Sequence, residues 1–202
     1  MRYSEGHRAQ TRVRIVQAAA REFRRLGVDA TSVADIMKAE GLTHGGFYRH
    51  FKGKDALLVE AAAEALGQVS GQLLHLTAGL PRHEALARVI AFYLSEQHMA
   101  NPQSGCLFAA LGTELARYPK RRRGPIARAL DEYRNQLQSL LPGNSVSEQR
   151  AAFDVLFPSM AGCLMAARAQ VDPARSKRIL EGARQFFTAS FCAQTSEVSG
   201  KS

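Results

Sequence analysis

Apolar residues recur at steps of three and four along most of the chain, which is the spacing that places them on one face of an α-helix. No segment alternates apolar and polar residues for long, so the pattern gives little indication of β-strands. The sequence therefore predicts an all-α protein of about nine helices. In the first helix the apolar stripe consists of Val13, Val16, Ala20, Phe23 and Leu26.

The first 54 residues predict three helices separated by turn residues. Ser32 offers a side-chain oxygen that can cap the second helix, and Gly41 breaks the chain between the second helix and the third. Thr43 is expected to cap the third helix. Two short helices joined by a tight turn are the arrangement of a helix-turn-helix. The three predicted helices span about residues 7–26, 33–40 and 44–51.

The remaining residues, 55–202, predict longer helices with proline and glycine between them. We expect this part to form a second domain with its own core, after a first domain of residues 1–54. The basic run from Pro119 to Pro125 lies between two helix breakers and is predicted as a solvated loop, with a second phosphate contact or an anion site as the alternative. The predicted helices span about residues 54–78, 82–100, 104–117, 123–141, 147–170 and 173–192.

Positive charge is concentrated at the N-terminal end. The 202 residues contain 27 Lys or Arg and 18 Asp or Glu, a net charge of +9. The first 54 residues hold eleven of the basic and five of the acidic groups, a net of +6. This asymmetry favours an anionic partner, such as nucleic acid, for the N-terminal part, although a basic solvated surface would look the same.

Several other functions are disfavoured by the sequence. No uninterrupted apolar run approaches the roughly 18 residues of a membrane span, and we expect no membrane partner. Three widely spaced cysteines do not form a disulfide framework, which indicates a cytoplasmic protein. The chain has no nucleophile elbow, phosphate-binding loop, HExxH motif or clustered acid pair, so we expect no enzyme, no cofactor and no metal site.

A longer motif is more specific than the helix pattern. The segments from Thr31 to Ile36 and from Gly41 to Leu57 closely resemble the DNA-binding domain of the TetR family of bacterial transcriptional repressors. The resemblance covers about residues 8–60, and the rest of the chain is similar to the family in helix number and length. It implies a homodimeric repressor that a small-molecule inducer releases from double-stranded operator DNA of palindromic sequence. Regulation as an activator, or an architectural DNA-binding role, remains an alternative.

The resemblance also implies which residues contact DNA. In the family the third helix enters the major groove and contacts bases, and neighbouring positions hold phosphates. His44 departs from the Lys or Arg that many members carry, which leaves the operator sequence open. The positions implied in DNA binding are Thr31, Thr43, His44, Gly45, Gly46, Tyr48, His50, Lys52 and Lys54.

Two features of the C-terminal part indicate further roles. The helix at 147–170 is apolar nearly all round, which favours cover by a second subunit, and in the family the last two helices form the dimer interface. Cys106 lies in a segment similar to one branch of the family, some of whose members sense electrophiles or oxidants. A cysteine in the first turn of a helix would suit that role, whereas a small core residue is the alternative. The predicted pocket consists of Phe92, Cys106, Phe108, Leu111, Phe153, Phe157 and Met160, residues that a dry core would also explain.

Overall fold

The computed structural model describes residues 5–192, and its regular structure is helical throughout that range, as predicted. Short 3₁₀ helices lie at His44–Arg49, Pro102–Ser104 and Gln138–Leu140. The α-helices of the described residues are α1 (Glu5–Leu26), α2 (Val33–Ala39), α3 (Lys54–Thr77), α4 (Arg82–Tyr93), α5 (Glu96–Ala100), α6 (Leu107–Ala116), α7 (Lys120–Leu137), α8 (Val146–Arg168) and α9 (Pro173–Phe191).

The N-terminal helices form a compact unit around α1. α2 packs against α1 and against the His44–Arg49 helix, and α1 lies along the first half of α3. Apolar side chains of these elements, among them Ile15, Phe23, Ile36 and Phe47, are almost fully buried. Burial of this apolar surface is the main force that holds the short helices in place, because helices of six or seven residues are not stable alone.

The long helix α3 connects this unit to the rest of the molecule. Beyond α1 it packs against α4 and α7, while α8 pairs with α9 and contacts α6. Buried apolar residues form one continuous cluster from Ile15 to Phe187, so α3 contributes to the core on both sides. The division into domains at residue 54 stays a prediction.

Two predicted helices are shorter than expected. The helix predicted at 82–100 is divided into α4 and α5, because the Ser95 side chain accepts a hydrogen bond from His98 N at 3.1 Å and starts a new helix. The helix predicted from 104 begins at Leu107, after the 3₁₀ turn at Pro102–Ser104. Ser104 does not cap it: its hydroxyl donates to Asn101 O at 3.3 Å.

The basic run predicted as a loop is the start of α7. Pro119 occupies the N-cap position, and the helix continues through Pro125 to Leu137. Proline suits the start of a helix, and Pro125 removes one main-chain hydrogen bond without ending α7. The charged residues from Lys120 to Arg123 are therefore held on a helix.

α8 is the helix within residues 5–192 that is long and apolar enough to cross a membrane, by length and composition only. A core helix of a bundle meets the same criterion. Leu156, Met160 and Leu164 of α8 are fully buried, and the helix packs against α6 and α9. These contacts account for much of its apolar character.

Candidate nucleic-acid interface and ligand cavity

The turn between α2 and the His44–Arg49 helix is fixed by local hydrogen bonds. Ser32 caps α2, since its Oγ accepts from Asp35 N at 3.0 Å. At the other end Gly41 has a φ of +70°, which glycine adopts without strain. Gly41 N donates to Lys38 O at 3.0 Å and Leu42 N to Met37 O at 2.8 Å, a pair of bonds that ends the helix and reverses the chain.

The His44–Arg49 helix is a 3₁₀ helix, whereas the sequence predicted an ordinary short helix. Thr43 occupies the cap position but makes no side-chain capping hydrogen bond, contrary to expectation. The adjacent Gly45 and Gly46 disfavour α-helix, and 3₁₀ geometry is common in pieces this short. Phe47 is buried and stacks on Phe51, with ring centroids 5.4 Å apart, which attaches the segment to the core.

The opposite face of this segment is open to solvent. Tyr48 is 65% exposed, and its ring lies edge-on to the imidazole of His44 with centroids 5.9 Å apart. Thr43, His44 and Gly45 are exposed, and Gly46 is half-buried beside Met37. A small, glycine-containing face with two aromatic polar side chains can approach another molecule closely.

Arginines of α1 hold the end of the segment. Arg8 donates from Nη2 to Arg49 O at 2.7 Å. Arg12 donates to His50 O, pairs with Glu60 of α3, and places its guanidinium 4.2 Å from the centre of the Phe51 ring. These bonds tie the segment to both α1 and α3.

The remaining predicted contact residues differ in their surroundings. Lys52 is exposed, Lys54 is the half-buried first residue of α3, and His50 is half-buried. Burial, with the nearby charges of Arg8, Arg12 and Arg49, lowers the pKa of His50 and favours its neutral form. Thr31 differs from the others: it is buried, and its hydroxyl donates to Gly27 O at 2.7 Å.

A carboxylate of α6 binds the loop that precedes α2. Glu114 accepts hydrogen bonds from Val28 N and Asp29 N, both at 3.0 Å, and from the Tyr118 hydroxyl at 2.7 Å. Burial and this carboxylate raise the pKa of Tyr118. The sequence interpretation missed Glu114. Its signal was that it is the sole charged residue of α6.

A second link joins α1 to the start of α6. Arg24 is buried and donates to Gly105 O at 2.9 Å and to Ala20 O at 2.9 Å. Burial lowers its pKa to about 10. The buried arginine and Glu114 together connect the helix-turn-helix unit to both ends of α6.

A cavity of about 290 Å³ lies between α3, α6, α7 and α8. Four residues of the predicted pocket line it: Cys106, Phe108, Phe153 and Phe157. Leu111 and Met160 are fully buried in the core and are not among its lining residues. Phe92 lines a separate cavity of about 240 Å³ with His98 and Gln72. Residues that sequence reasoning missed are Leu66, Tyr93, Ala127, Leu130, Asp131, Tyr133, Arg134, Asp154 and Pro158.

The wall of the 290 Å³ cavity is mainly aromatic. Phe153 stacks on Phe157 with centroids 4.3 Å apart, and Tyr133 meets both rings edge-on. The hydroxyl of Tyr133 is buried without a hydrogen-bond partner among the described residues, and burial raises the pKa of both Tyr93 and Tyr133. Unpaired polar atoms of this kind favour occupation by a ligand with polar groups.

Cys106 occupies the N-cap position of α6, one residue before the first turn in which it was expected. It is buried, and its N–H donates to His98 Nε2 at 3.0 Å. The other ring nitrogen of His98 lies 2.6 Å from Tyr93 O, so the neutral imidazole makes both bonds. Burial and the charges of Arg168 and Arg24 lower the pKa of His98.

The pair α8 and α9 leaves an apolar face uncovered. Val155 of α8 is 58% exposed and Phe186 of α9 is 64% exposed. The same face includes exposed small residues such as Gly162 and Gly182. Phe157, by contrast, is buried within the subunit.

Comparisons with known proteins agree with this architecture. Residues 15–61 match the family model of bacterial regulatory proteins, tetR family. The uncharacterized HTH-type transcriptional regulator YerO of Bacillus subtilis is 34% identical over 80 residues, which are 38% of this chain and 28% of the relative. The regulator TtgR of Pseudomonas putida is 41% identical over 64 residues, 32% of this chain and 30% of TtgR. The chain thus spans less than a third of the length of these curated relatives.

Solved structures match over nearly the whole chain. A TetR transcriptional regulator from Chloroflexus aurantiacus has 25% identity and a TM-score of 0.70, over 90% of this chain and 93% of that one. A regulator from Saccharomonospora viridis, crystallised with choline, has 17% identity and a TM-score of 0.67, over 91% and 98%. The local match covers the helix-turn-helix unit, and the fold similarity covers the helices that follow it. The chain therefore shares the helix-turn-helix sequence of the tetR family model over residues 15–61, and its fold is that of solved TetR regulators.

Proposed function

We propose that this chain is a sequence-specific DNA-binding regulator of transcription, acting as a repressor on a palindromic operator. The observation that carries the proposal is the exposed face of the His44–Arg49 helix, which a buried Phe47 holds out from the core within the region that matches the family. The names of the relatives point the same way, since they are HTH-type transcriptional regulators. The proposed site of action is the cytoplasm, where bacterial DNA lies.

The surroundings of each residue suggest its part in DNA binding. Thr43, His44 and Gly45 are exposed at the start of the segment, where a helix in the major groove meets base edges. Tyr48, Lys52 and Lys54 follow on or beyond the segment and are suited to phosphates. Gly46, which has no side chain, and the half-buried His50 allow the backbone of this segment to come close to DNA. Thr31 is buried, with its hydroxyl bonded to Gly27 O and its N–H to Val28 O, so its part is to position α2.

The proposed assembly is a homodimer through α8 and α9. The exposed Val155 and Phe186, with the glycines between them, form an apolar face that a second copy would cover. Small residues allow helices to approach closely. In a dimer of this kind, residues 55–202 carry the interface and the ligand cavity, while residues 1–54 read the DNA.

The proposed regulation is release by a small molecule in the 290 Å³ cavity. Cys106 lines the cavity at the start of α6, and Glu114 near the end of α6 holds the loop before α2. A ligand that displaces α6 therefore acts on the helix-turn-helix through a short chain of contacts. Release requires that the ligand binds the DNA-free arrangement more tightly than the DNA-bound one.

A second candidate is a repressor that senses electrophiles through Cys106. The observation that favours it is that Cys106 lines the cavity, so a reactive ligand would meet a thiol there. Cys163 and Cys192 serve as internal controls, because burial raises the pKa of both thiols and slows their reaction. Comparing operator release by a thiol-reactive electrophile in wild type and in Cys106→Ser decides between this candidate and a reversible ligand.

The proposed function is tested by selecting bound duplexes from a random DNA pool. We expect one near-palindromic motif with half-sites on the same face of the duplex, bound by a dimer. His44→Ala should change the preferred base at particular positions, by about 1–3 kcal/mol if His44 makes a good base contact. Tyr48→Phe is the matched control, because loss of a phosphate contact should weaken binding to all sequences alike.

Three results would contradict the proposal. The first is a pool that yields no motif, and the second is binding that does not weaken with salt. Uniform coating of long DNA instead of one protected palindrome would indicate an architectural protein. A transcription assay on the selected operator separates a repressor from an activator.

A further inference from the structure

The start of α7 carries a dense group of positive charges in an unusual place. Lys120, Arg121, Arg122 and Arg123 occupy the first four residues of the helix, and no acidic residue lies in its first turn. The N-terminus of a helix is the positive end of its dipole, where cations are unfavourable by about 0.3–1 kcal/mol at exposed positions. The arrangement therefore costs the free protein stability.

Within residues 5–192, Arg122 is the one member of this group whose charge is paired with an acidic side chain. Its Nη2 lies 2.7 Å from Asp55 Oδ1, and its guanidinium lies 3.8 Å from the centre of the Tyr118 ring. The other three residues, Lys120, Arg121 and Arg123, are exposed, and their side chains make no ion pair or hydrogen bond in the described part of the chain. We call these three residues the α7 basic cluster.

The contact between Arg122 and Asp55 places the cluster at a defined end of the molecule. Asp55 is the second residue of α3 and follows Lys54, a proposed phosphate contact. Further along, Leu66 of α3 and Leu130 of α7 line the same cavity, so the two helices run parallel. The α7 basic cluster therefore lies at the same end of the helical bundle as the start of α3.

We propose that the α7 basic cluster binds phosphates of the DNA backbone outside the half-site that the His44–Arg49 helix reads. This inference rests on the proposed function and adds a contact from the C-terminal part of the chain. The charge of the cluster fits a polyanion, its side chains are free to reach one, and its position next to Lys54 extends the basic surface of the helix-turn-helix. Bound phosphate would also offset the unfavourable placement of these cations.

The test compares two triple variants of the full chain. The first replaces the cluster: Lys120→Gln, Arg121→Gln and Arg123→Gln. The control removes the same charge at Arg82, Arg88 and Arg128, which are exposed, lie outside α8 and α9 and make no ion pair within the described residues. Sedimentation and thermal melting check both proteins. Loss of cations from the α7 N-terminus should leave the melting temperature unchanged or raise it.

The readout is the salt dependence of binding to two duplexes. One is the motif selected by the wild-type protein, and the other is the same motif with about ten base pairs, or one helical turn, added on each side. On the longer duplex, each phosphate contact that the cluster variant loses should make the slope of log K against log salt less steep by about 0.9. One lost contact in each subunit of a dimer would change the slope by about 2. On the short duplex it should match the control.

The inference is overturned if the cluster variant matches the control on the longer duplex, or if it loses affinity equally on both duplexes. Vesicles containing phosphatidylserine test the other source of anionic groups. Loss of vesicle binding with unchanged DNA binding also overturns the inference. Failure of the proposed function is distinguishable, because then the wild-type protein itself selects no motif.

Discussion

Removal of the Glu114 carboxylate should destabilise the junction between α6 and the helix-turn-helix unit. Glu114→Ala leaves the Val28 and Asp29 N–H groups and the Tyr118 hydroxyl without their acceptor. Asp29 is exposed, so water can replace its bond, whereas Val28 is fully buried. A buried donor without a partner costs about 1–3 kcal/mol, and a bond to a charged acceptor contributes about 1.5–3 kcal/mol. The expected loss in free energy of unfolding is about 3 kcal/mol.

Glu114→Gln should cost less than the alanine variant, at about 1–2 kcal/mol, because the amide oxygen still accepts one backbone hydrogen bond. For a chain of this size the melting temperature changes by about 2–4 °C per kcal/mol. Alanine should therefore lower it by about 6–12 °C, and glutamine by about half as much. Differential scanning calorimetry measures both.

Glu132→Ala is the matched control, because Glu132 is exposed on α7 and makes no ion pair within the described residues. Surface changes of this kind stay within about 0.5 kcal/mol. Glu132→Ala should be the most stable of the three variants, Glu114→Gln should be less stable, and Glu114→Ala the least stable. If Glu114→Ala has the same melting temperature as Glu132→Ala, the carboxylate does not hold the loop. The path from the cavity to DNA through Glu114 is then refuted.

Other predictions concern pH, packing and assembly. His98 has a pKa below its ordinary 6.5 in the folded protein, so the unfolded chain takes up a proton first as the pH falls. Stability is then lost between about pH 7 and the lower folded pKa, and His98→Gln should flatten this part of a pH series of melting temperatures. Gly105→Ala should destabilise by about 1–3 kcal/mol, because the new methyl group would collide with His98 Nε2. Gly67→Ala, in open space on a helix, should stabilise by about 0.5–1 kcal/mol in the same denaturation assay. Phe186→Glu should sediment as a monomer. If this variant still forms a dimer like that of the wild-type protein, the interface lies elsewhere.

The elements that the sequence predicted well are those fixed by neighbouring residues. Ser32 caps α2 and Gly41 ends it through bonds that span six residues or fewer, so both were readable from the local pattern. The bond between Glu114 and Val28 joins positions 86 residues apart, and no local rule contains it. Its one sequence signal was a lone charge on an otherwise uncharged helix.

Periodicity identified apolar faces but not their partners. Phe157 and Val155 both belong to the apolar pattern of α8, yet the first is buried within the subunit and the second is exposed. The predicted pocket likewise included both Cys106, which lines the cavity, and Leu111, which is buried in the core away from it. Helical spacing gives the direction of a side chain around one axis, whereas the position of a cavity depends on how several helices cross.

The 3₁₀ geometry of the His44–Arg49 helix sets the length that this segment would span along DNA. A 3₁₀ helix rises about 2.0 Å per residue and an α-helix about 1.5 Å. Six residues therefore extend about 12 Å in one form and about 9 Å in the other. The difference of about 3 Å is close to the 3.4 Å spacing of successive nucleotides along one strand. In Gly45→Ala the new methyl group would meet no other atom within 4 Å, and alanine favours α-helix over glycine by about 1 kcal/mol, so the substitution shifts the segment toward the shorter form.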